Sequence, residues 1–254
     1  MQPPTNIPPR FHPAYQHIRQ LAQHERYQAA LIFGSLARRE ATDASDMDVK
    51  VVTDEHNPCS NINHPVIGGV KLDLSFSSLS QFRESLDREI ASRERIPILA
   101  ESLIVFDKTG ELMELCEEAK TVQPHRLTPD EVQFLQFMFY HGNNKAERNL
   151  QSDPVTALLV MHVGLNDFLH FHYRIAGRWW VSSKRLLADL RSWDPPLAQL
   201  VERFVTACDV HAKFQVWSDI IDYILEPLGG RQPVAENNCH CPVCQLDLAR
   251  VLDA

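Results

Sequence analysis

Three aspartates in two short, strand-like segments carry the chemistry that this sequence most clearly indicates. Asp46 and Asp48 bracket the start of Met47–Thr53, whose alternation predicts a β-strand with both carboxylates on one face. Asp73 lies on the polar face of a second predicted strand, Val70–Phe76. If the strands are neighbours, the carboxylates converge, and their mutual repulsion favours a bound cation. Oxygen ligands suit Mg²⁺ or Mn²⁺, so the three aspartates are predicted to be metal ligands.

A turn that could bind an anion precedes these aspartates. The strand predicted over Ala29–Phe33 ends at Gly34, and Ser35 begins a helix. Gly34 has no Cβ to block a bulky ligand, while Ser35 offers a hydroxyl beside the free N–H groups of a helix start. Arg38 and its neighbour Arg39 would then lie in a first helical turn, where positive charge opposes the helix dipole. A bound phosphate would remove that conflict.

Gly34-Ser35, a gap of ten residues, Asp46-Met-Asp48 and a later strand aspartate form a recognisable combination. Over roughly residues 29–76 it resembles the DNA polymerase β-type nucleotidyltransferase superfamily. The similarity is strongest to minimal nucleotidyltransferases and to antibiotic adenylyltransferases of the kanamycin and lincosamide type. One departure is Arg39, where the minimal enzymes often have glycine.

The resemblance implies a role for each residue of the combination. Gly34 and Ser35, with Arg38 as a helper, would hold the β- and γ-phosphates of a nucleoside triphosphate. Asp46 and Asp48 would bind two divalent ions. Asp73 would ligate the ion near the acceptor hydroxyl and help to take its proton.

The reaction implied by this resemblance is transfer of a nucleotidyl group to a hydroxyl, with release of pyrophosphate. ATP is the expected co-substrate and Mg²⁺ or Mn²⁺ the expected cofactor. The expected acceptor is a small molecule such as an antibiotic, which would make antibiotic resistance the biological role. Two alternatives stay open: a protein adenylyltransferase of toxin–antitoxin type, and a non-catalytic nucleotide-binding module.

The elements that must position these residues belong to an α+β class. The resemblance implies a small mixed β-sheet with flanking helices. Long helical patterns after residue 125 predict that an all-α bundle follows this domain along the chain. Ser78 and Thr128 are predicted N-caps, and one apolar face from Leu197 to Ile224, Cys208 included, predicts a single long helix. The predicted divisions are a mobile proline-rich leader at 1–13, a nucleotidyltransferase domain at 14–122, the bundle at 128–225 and a loose tail at 226–254.

The predicted bundle contains residues that could serve the nucleotide or the acceptor. Lys184 follows Trp179-Trp180 at a helix start and could reach a triphosphate. Residues that could line the acceptor side are Glu147, as a base, and a polar stripe of His162, Asn166 and His170 at helical spacing. The alternative for Glu147 is an ordinary surface residue, and for the stripe a set of hydrogen-bonded core polar groups.

The C-terminal segment contains a zinc-like knuckle, Cys239-His240-Cys241-Pro-Val-Cys244. These four potential ligands could suffice for a tetrahedral Zn²⁺ site, but no second well-spaced pair follows. The alternative is a tail with reduced cysteines.

Composition narrows the class of partner. The chain has 254 residues, 25 Lys and Arg, 33 Asp and Glu, and a net charge of −8, which disfavours general nucleic-acid binding. Its apolar runs are far shorter than the roughly 20 residues of a membrane-spanning helix, and the N-terminus lacks the features of a signal peptide. A cytoplasmic location without membrane association is therefore expected, and a homodimer is left open.

Overall fold

Five β-strands form a mixed sheet in the first of the two units into which the chain divides. The computed structural model describes residues 7–59 and 61–231. The first unit contains the described residues up to His125 together with Gly177–Trp180, and the second contains Arg126–Ala176 and the described residues from Val181 onwards.

The strands follow the order β3-β4-β2-β1-β5 across the sheet. β2 and β4 run parallel, whereas β1 is antiparallel to both β2 and β5, and β3 is antiparallel to β4. Their bounds are β1 Tyr27–Phe33, β2 Met47–Thr53, β3 Val66–Ile67, β4 Val70–Ser78 and β5 Leu103–Asp107. The mixed sheet with its helices confirms the predicted fold class, although the two-residue β3 was not anticipated.

Alternation along the strands gives the sheet two apolar faces. Met47, Val49 and Val51 of β2 pack on one side in a cluster that includes Ile18 of the helix α1. Val52 belongs to the other side, where residues of α3 and α4 cover the sheet. The helices of this unit are α1 His12–Gln20, α2 Gly34–Ala37, α3 Leu79–Ser92 and α4 Glu111–Thr121. Asp48 shares the second face, which therefore changes from apolar to acidic along one strand.

Both predicted N-caps are present. Ser78 accepts a hydrogen bond from the backbone N–H of Gln81, whose side chain bonds back to the Ser78 N–H, so a full capping box begins α3. Thr128 and Glu131 form the same box at the start of α5. These local signals placed the helix starts correctly because they depend on only four consecutive residues.

The described part of the N-terminal segment is not a mobile leader. Ile7 and Phe11 are 3% and 2% exposed and belong to the core beneath the sheet. A short 3₁₀ turn, Pro9–Phe11, leads directly into α1, whose first turn contains Pro13. Prolines are compatible with such starts because the first N–H groups of a helix need no internal partner.

The second unit is helical, as predicted. Its helices are α5 Pro129–Asn149, α6 Pro154–Ile175, α7 Ser183–Trp193, α8 Pro195–Thr206 and α9 Val210–Leu225. The prediction of one long helix with Cys208 on its core face was wrong. Ala207 is extended, Asp209 caps the N–H of Ala212 to start α9, and Cys208 is exposed in the break.

Aromatic packing and one buried polar group organise this bundle. Phe168 stacks on Phe139 and contacts Trp217, with ring centroids 4.0 and 4.7 Å apart. The buried Asp194 caps α8, accepts a bond of 2.7 Å from Tyr223 Oη and lies 2.7 Å from Nε2 of His172. Burial lowers the pKa of His172, which Asp194 partly opposes. Among the helices described, none has the length and hydropathy needed to cross a bilayer.

Candidate active site

One lateral row of side chains crosses four strand segments at the acidic end of the sheet. Phe33 of β1 pairs with Asp48 of β2, and Asp48 pairs with Asp73 of β4. The bridge between Asn63 and Leu74 continues the register of β3 with β4, which places His64 opposite Asp73. Directly paired residues project from the same face of a sheet. The row is therefore Phe33, Asp48, Asp73 and His64.

A second row lies one step nearer the end of the sheet. Asp46 precedes β2, and continuing the β2–β4 register by one position places it opposite Lys71. Consistent with that placement, Asp46, Asp48 and Asp73 all raise the pKa of Lys71, chiefly through the hydrogen bond from Lys71 to Asp73. The three aspartates thus face the same side as Lys71, which contacts Asp73.

Asp73 is engaged by two basic side chains. Its Oδ1 lies 2.9 Å from Lys71 Nζ and 2.6 Å from His64 Nδ1. The bond from Lys71, helped by that from His64, lowers the pKa of Asp73. Within residues 7–59 and 61–231, no three His, Cys, Asp or Glu side chains are grouped to hold a metal ion. The strands bring the carboxylates to one face, but the three do not form such a group, and Asp73 contacts Lys71 and His64.

The turn between β1 and β2 is built around Gly34. Its φ of +71° lies in the left-handed region, and a Cβ on it would stand 3.0 Å from Cγ of Asp48 and closer still to Oδ2. Gly34 therefore leaves the space in which the Asp48 carboxylate sits. Phe33, the N-cap of α2, has no side-chain acceptor, so the first-turn N–H groups beside Ser35 lack the usual capping bond.

The predicted dipole conflict at Arg38 does not occur. α2 is only four residues long, and Arg38 follows it as the C-cap, where positive charge is favourable. The guanidinium pairs with Glu40 at 3.0 Å and Glu101 at 3.5 Å, so its charge is already balanced. Arg39, at the position where the minimal enzymes often have glycine, has φ of +64°. The turn thus keeps a glycine-like conformation despite the substitution.

A cavity of about 470 Å³ adjoins the carboxylate row along the same face. Lys50 and Ser75, paired in the register two residues beyond Asp48 and Asp73, line it together with Arg88. Lys50 Nζ lies 5.7 Å from the ring centroids of both Phe33 and Phe82. Burial lowers the pKa of Lys50. The lining of the cavity contains two basic side chains, Lys50 and Arg88, and one acidic side chain, Glu84, which suits a polar ligand.

Two features of the site bear on whether it suits a divalent metal ion: the type of donor atoms and the free space beside them. Asp46 and Asp48 offer carboxylate oxygens, the ligands preferred by Mg²⁺ and Mn²⁺, and Gly34 keeps the space at Asp48 free of a side chain. Asp73 can contribute Oδ2, since both of its ion pairs end on Oδ1. In its chemistry, this set of carboxylate oxygens suits one hard divalent ion.

The candidate residues of the helical half lie in the second unit. Glu147 is exposed on α5, and Lys184 is exposed in the first turn of α7. His162 and Asn166 are exposed on α6, while His170 on the same helix is half-buried against the ring of Phe171. The expectation that the stripe faces an acceptor stays a prediction. The knuckle Cys239, His240, Cys241 and Cys244 lies outside the described residues.

Sequence reasoning missed three basic residues at the site. Lys50 and Lys71 share the strand alternation of Asp48 and Asp73, so the period-2 pattern contained the signal for both. His64 had no such signal, because the two-residue β3 has too few residues to show a strand pattern. The site is therefore less acidic than its aspartates alone suggested.

Comparisons with known proteins bear on this arrangement. The family described as "Polymerase beta, Nucleotidyltransferase" matches residues 16–97. Among solved structures, a nucleotidyltransferase-like protein from Exiguobacterium sibiricum 255-15 is 12% identical, with a TM-score of 0.48 over 85% of this chain and 74% of the other. No curated protein matches the chain in sequence. Residues 16–97, which contain the Gly34 turn and the three aspartates, therefore form a nucleotidyltransferase domain of the DNA polymerase β-type superfamily.

Proposed function

We propose that this chain is a metal-dependent nucleotidyltransferase that moves AMP from ATP to a hydroxyl of a small-molecule acceptor. The observation that carries the proposal is the direct pairing of Asp48 with Asp73 beside the Gly34 turn. At this position carboxylate oxygens lie near the backbone N–H groups of a helix start. The carboxylate oxygens suit a metal ion, and the N–H groups suit the phosphates of a nucleoside triphosphate.

Each residue then has a defined task. Gly34 and Ser35 bind the terminal phosphates through backbone N–H groups and the serine hydroxyl. Asp46 and Asp48 would hold a divalent ion, which when bound supplies positive charge to the phosphate oxygens. The cavity beside Lys50 offers space for the part of the substrate that extends from the reacting phosphate.

The reaction proposed is an in-line displacement at the α-phosphate. The acceptor oxygen forms a bond to the α-phosphorus while the bond to the bridging oxygen breaks, and pyrophosphate leaves with the electron pair. The acceptor proton passes towards Asp73 or to water. Because the pKa of Asp73 is lowered, this carboxylate is a weak base, and its larger contribution is to orient the hydroxyl and balance charge.

Incubation with ATP labelled at the α-phosphate tests the proposal. The full chain is mixed with Mg²⁺ and a panel of aminoglycosides, lincosamides and common metabolites, and pyrophosphate release and labelled products are measured. Asp48→Asn should abolish transfer, by more than about 100-fold, whereas Asp43→Asn should leave it unchanged. Asp43 is a matched control because it is exposed in the same β1–β2 connection.

Other outcomes identify the remaining functions. Label on a polypeptide but on no small molecule would favour a protein adenylyltransferase. ATP binding without any transfer would favour a non-catalytic nucleotide-binding module. Transfer that survives Asp48→Asn would refute the assignment of this site.

A further inference from the structure

Lys71 occupies a position that the backbone of β4 determines. It precedes Asp73 by two residues, so the strand period places both side chains on the face that presents Asp48. Its Nζ contacts Asp73 at 2.9 Å, and the register places Asp46 across from it. The alternation of β4 therefore places the positively charged Lys71 on the same face as the aspartates.

His64 contacts Asp73 from the neighbouring segment of the sheet. It lies across the short β3–β4 ladder and contacts the same Oδ1 at 2.6 Å. With Oδ1 held by two partners, the Asp73 carboxylate is fixed in orientation, and Oδ2 is the oxygen that can face a ligand. Asp73 can therefore offer an ion only Oδ2, and the Lys71 ammonium lies beside that carboxylate as a positive charge.

Charge balance gives these contacts a consequence. Three ionised aspartates carry three negative charges, and Lys71 neutralises one of them before any ion binds. A lysine side chain is ordinarily protonated at neutral pH, and the 2.9 Å contact places this positive charge directly on Asp73. A second divalent ion next to Asp73 would have to displace or approach this ammonium group, which repels it.

We propose that Lys71 replaces one of the two divalent ions expected for this site, so that the chain binds a single ion through Asp46 and Asp48. The proposal rests on the proposed function. Lys71 is then a positioning residue: it holds Asp73 and contributes a fixed positive charge where a metal ion would otherwise be needed.

Titration of the full chain with Mn²⁺, with free Mn²⁺ measured by electron paramagnetic resonance, tests this without reference to turnover. The wild-type chain should bind one ion. Lys71→Met should bind Mn²⁺ about tenfold more tightly or acquire a second site, because a repelling charge is removed. Lys71→Arg, which keeps the charge, should bind as the wild type does.

Lys120→Met provides the matched control. Lys120 is 50% exposed and pairs with a carboxylate, Glu117, at 2.7 Å, while Lys71 is 49% exposed. This variant should leave Mn²⁺ binding unchanged. Circular dichroism and thermal unfolding of each variant show whether it retains the fold.

The possible results separate the two proposals. Two ions on the wild-type chain, or equal binding by wild type and Lys71→Met, would overturn the role of Lys71. Loss of Mn²⁺ binding in Asp48→Asn alongside either result would leave the proposed function standing. Unchanged binding in Asp48→Asn would overturn both, because the ion would then lie elsewhere.

Discussion

Replacing Gly34 by alanine tests whether the turn after β1 holds the Asp48 carboxylate in place. The added Cβ would lie 3.0 Å from Asp48 Cγ and nearer to Oδ2, so the carboxylate must withdraw by about 1 Å to restore normal contacts. The φ of +71° adds a backbone cost of about 1 to 2 kcal/mol for any residue with a Cβ. We expect a total loss of about 2 to 3 kcal/mol in the free energy of unfolding.

Gly69→Ala separates the two contributions. Gly69 has φ of +77°, but no atom lies within 4 Å of the point that a Cβ would occupy, so alanine there meets the backbone cost alone. Alanine also restricts the unfolded chain, which offsets part of that cost, and a net loss of about 1 kcal/mol or less is expected. The difference between the two variants measures the contact with Asp48.

Urea unfolding gives both stabilities, and Mn²⁺ titration reports on the carboxylate. A displacement of about 1 Å at a reacting group is large enough to reduce activity by about 100-fold, so Gly34→Ala should weaken Mn²⁺ binding and abolish most transfer. Gly69→Ala should change neither. If both variants lose equal stability and Gly34→Ala binds Mn²⁺ normally, Gly34 does not position Asp48.

Two further predictions concern the helical unit. Burial lowers the pKa of His172 in the folded chain. As the pH falls, His172 therefore binds a proton in the unfolded chain before it does so in the folded chain, and the free energy of unfolding should decrease below about pH 6.5. His172→Gln should flatten this part of the pH profile of urea unfolding, and parallel profiles would contradict the assignment. Gly164→Ala would place a Cβ 2.7 Å from Cη2 of Trp217 and should cost about 1 to 3 kcal/mol, measured by the same unfolding curves. A stabilised Gly164→Ala variant would show that the indole has room to move.

Local patterns predicted the central part of the fold. β2 begins and ends where the alternation placed it, and the capping boxes at Ser78 and Thr128 are both formed. These features depend on the residue types within a few positions of one another. The apolar and polar faces of β2 and β4 were therefore readable before the strands were known to pair.

Tertiary context decided what the sequence did not show. β3 exists because its two residues pair with β4, and no local propensity distinguishes it from a loop. The break between α8 and α9 lies within an apolar pattern that continues across it, and it depends on the cap at Asp209. Arg38 was expected inside a helix, but α2 ends before reaching it.

The parallel pairing of β2 and β4 has a consequence for how such proteins can diverge. Asp48 and Asp73 are joined by register, and the stretch from Asn63 to Ile67 in the connection between their strands also pairs with β4. Insertions or deletions before Asn63 leave both pairings intact, but one residue gained or lost within β4 before Asp73 would turn this aspartate towards the apolar layer. Homologues should therefore vary in the interval between the second and third acids, and alternation around the third acid identifies it better than any fixed spacing.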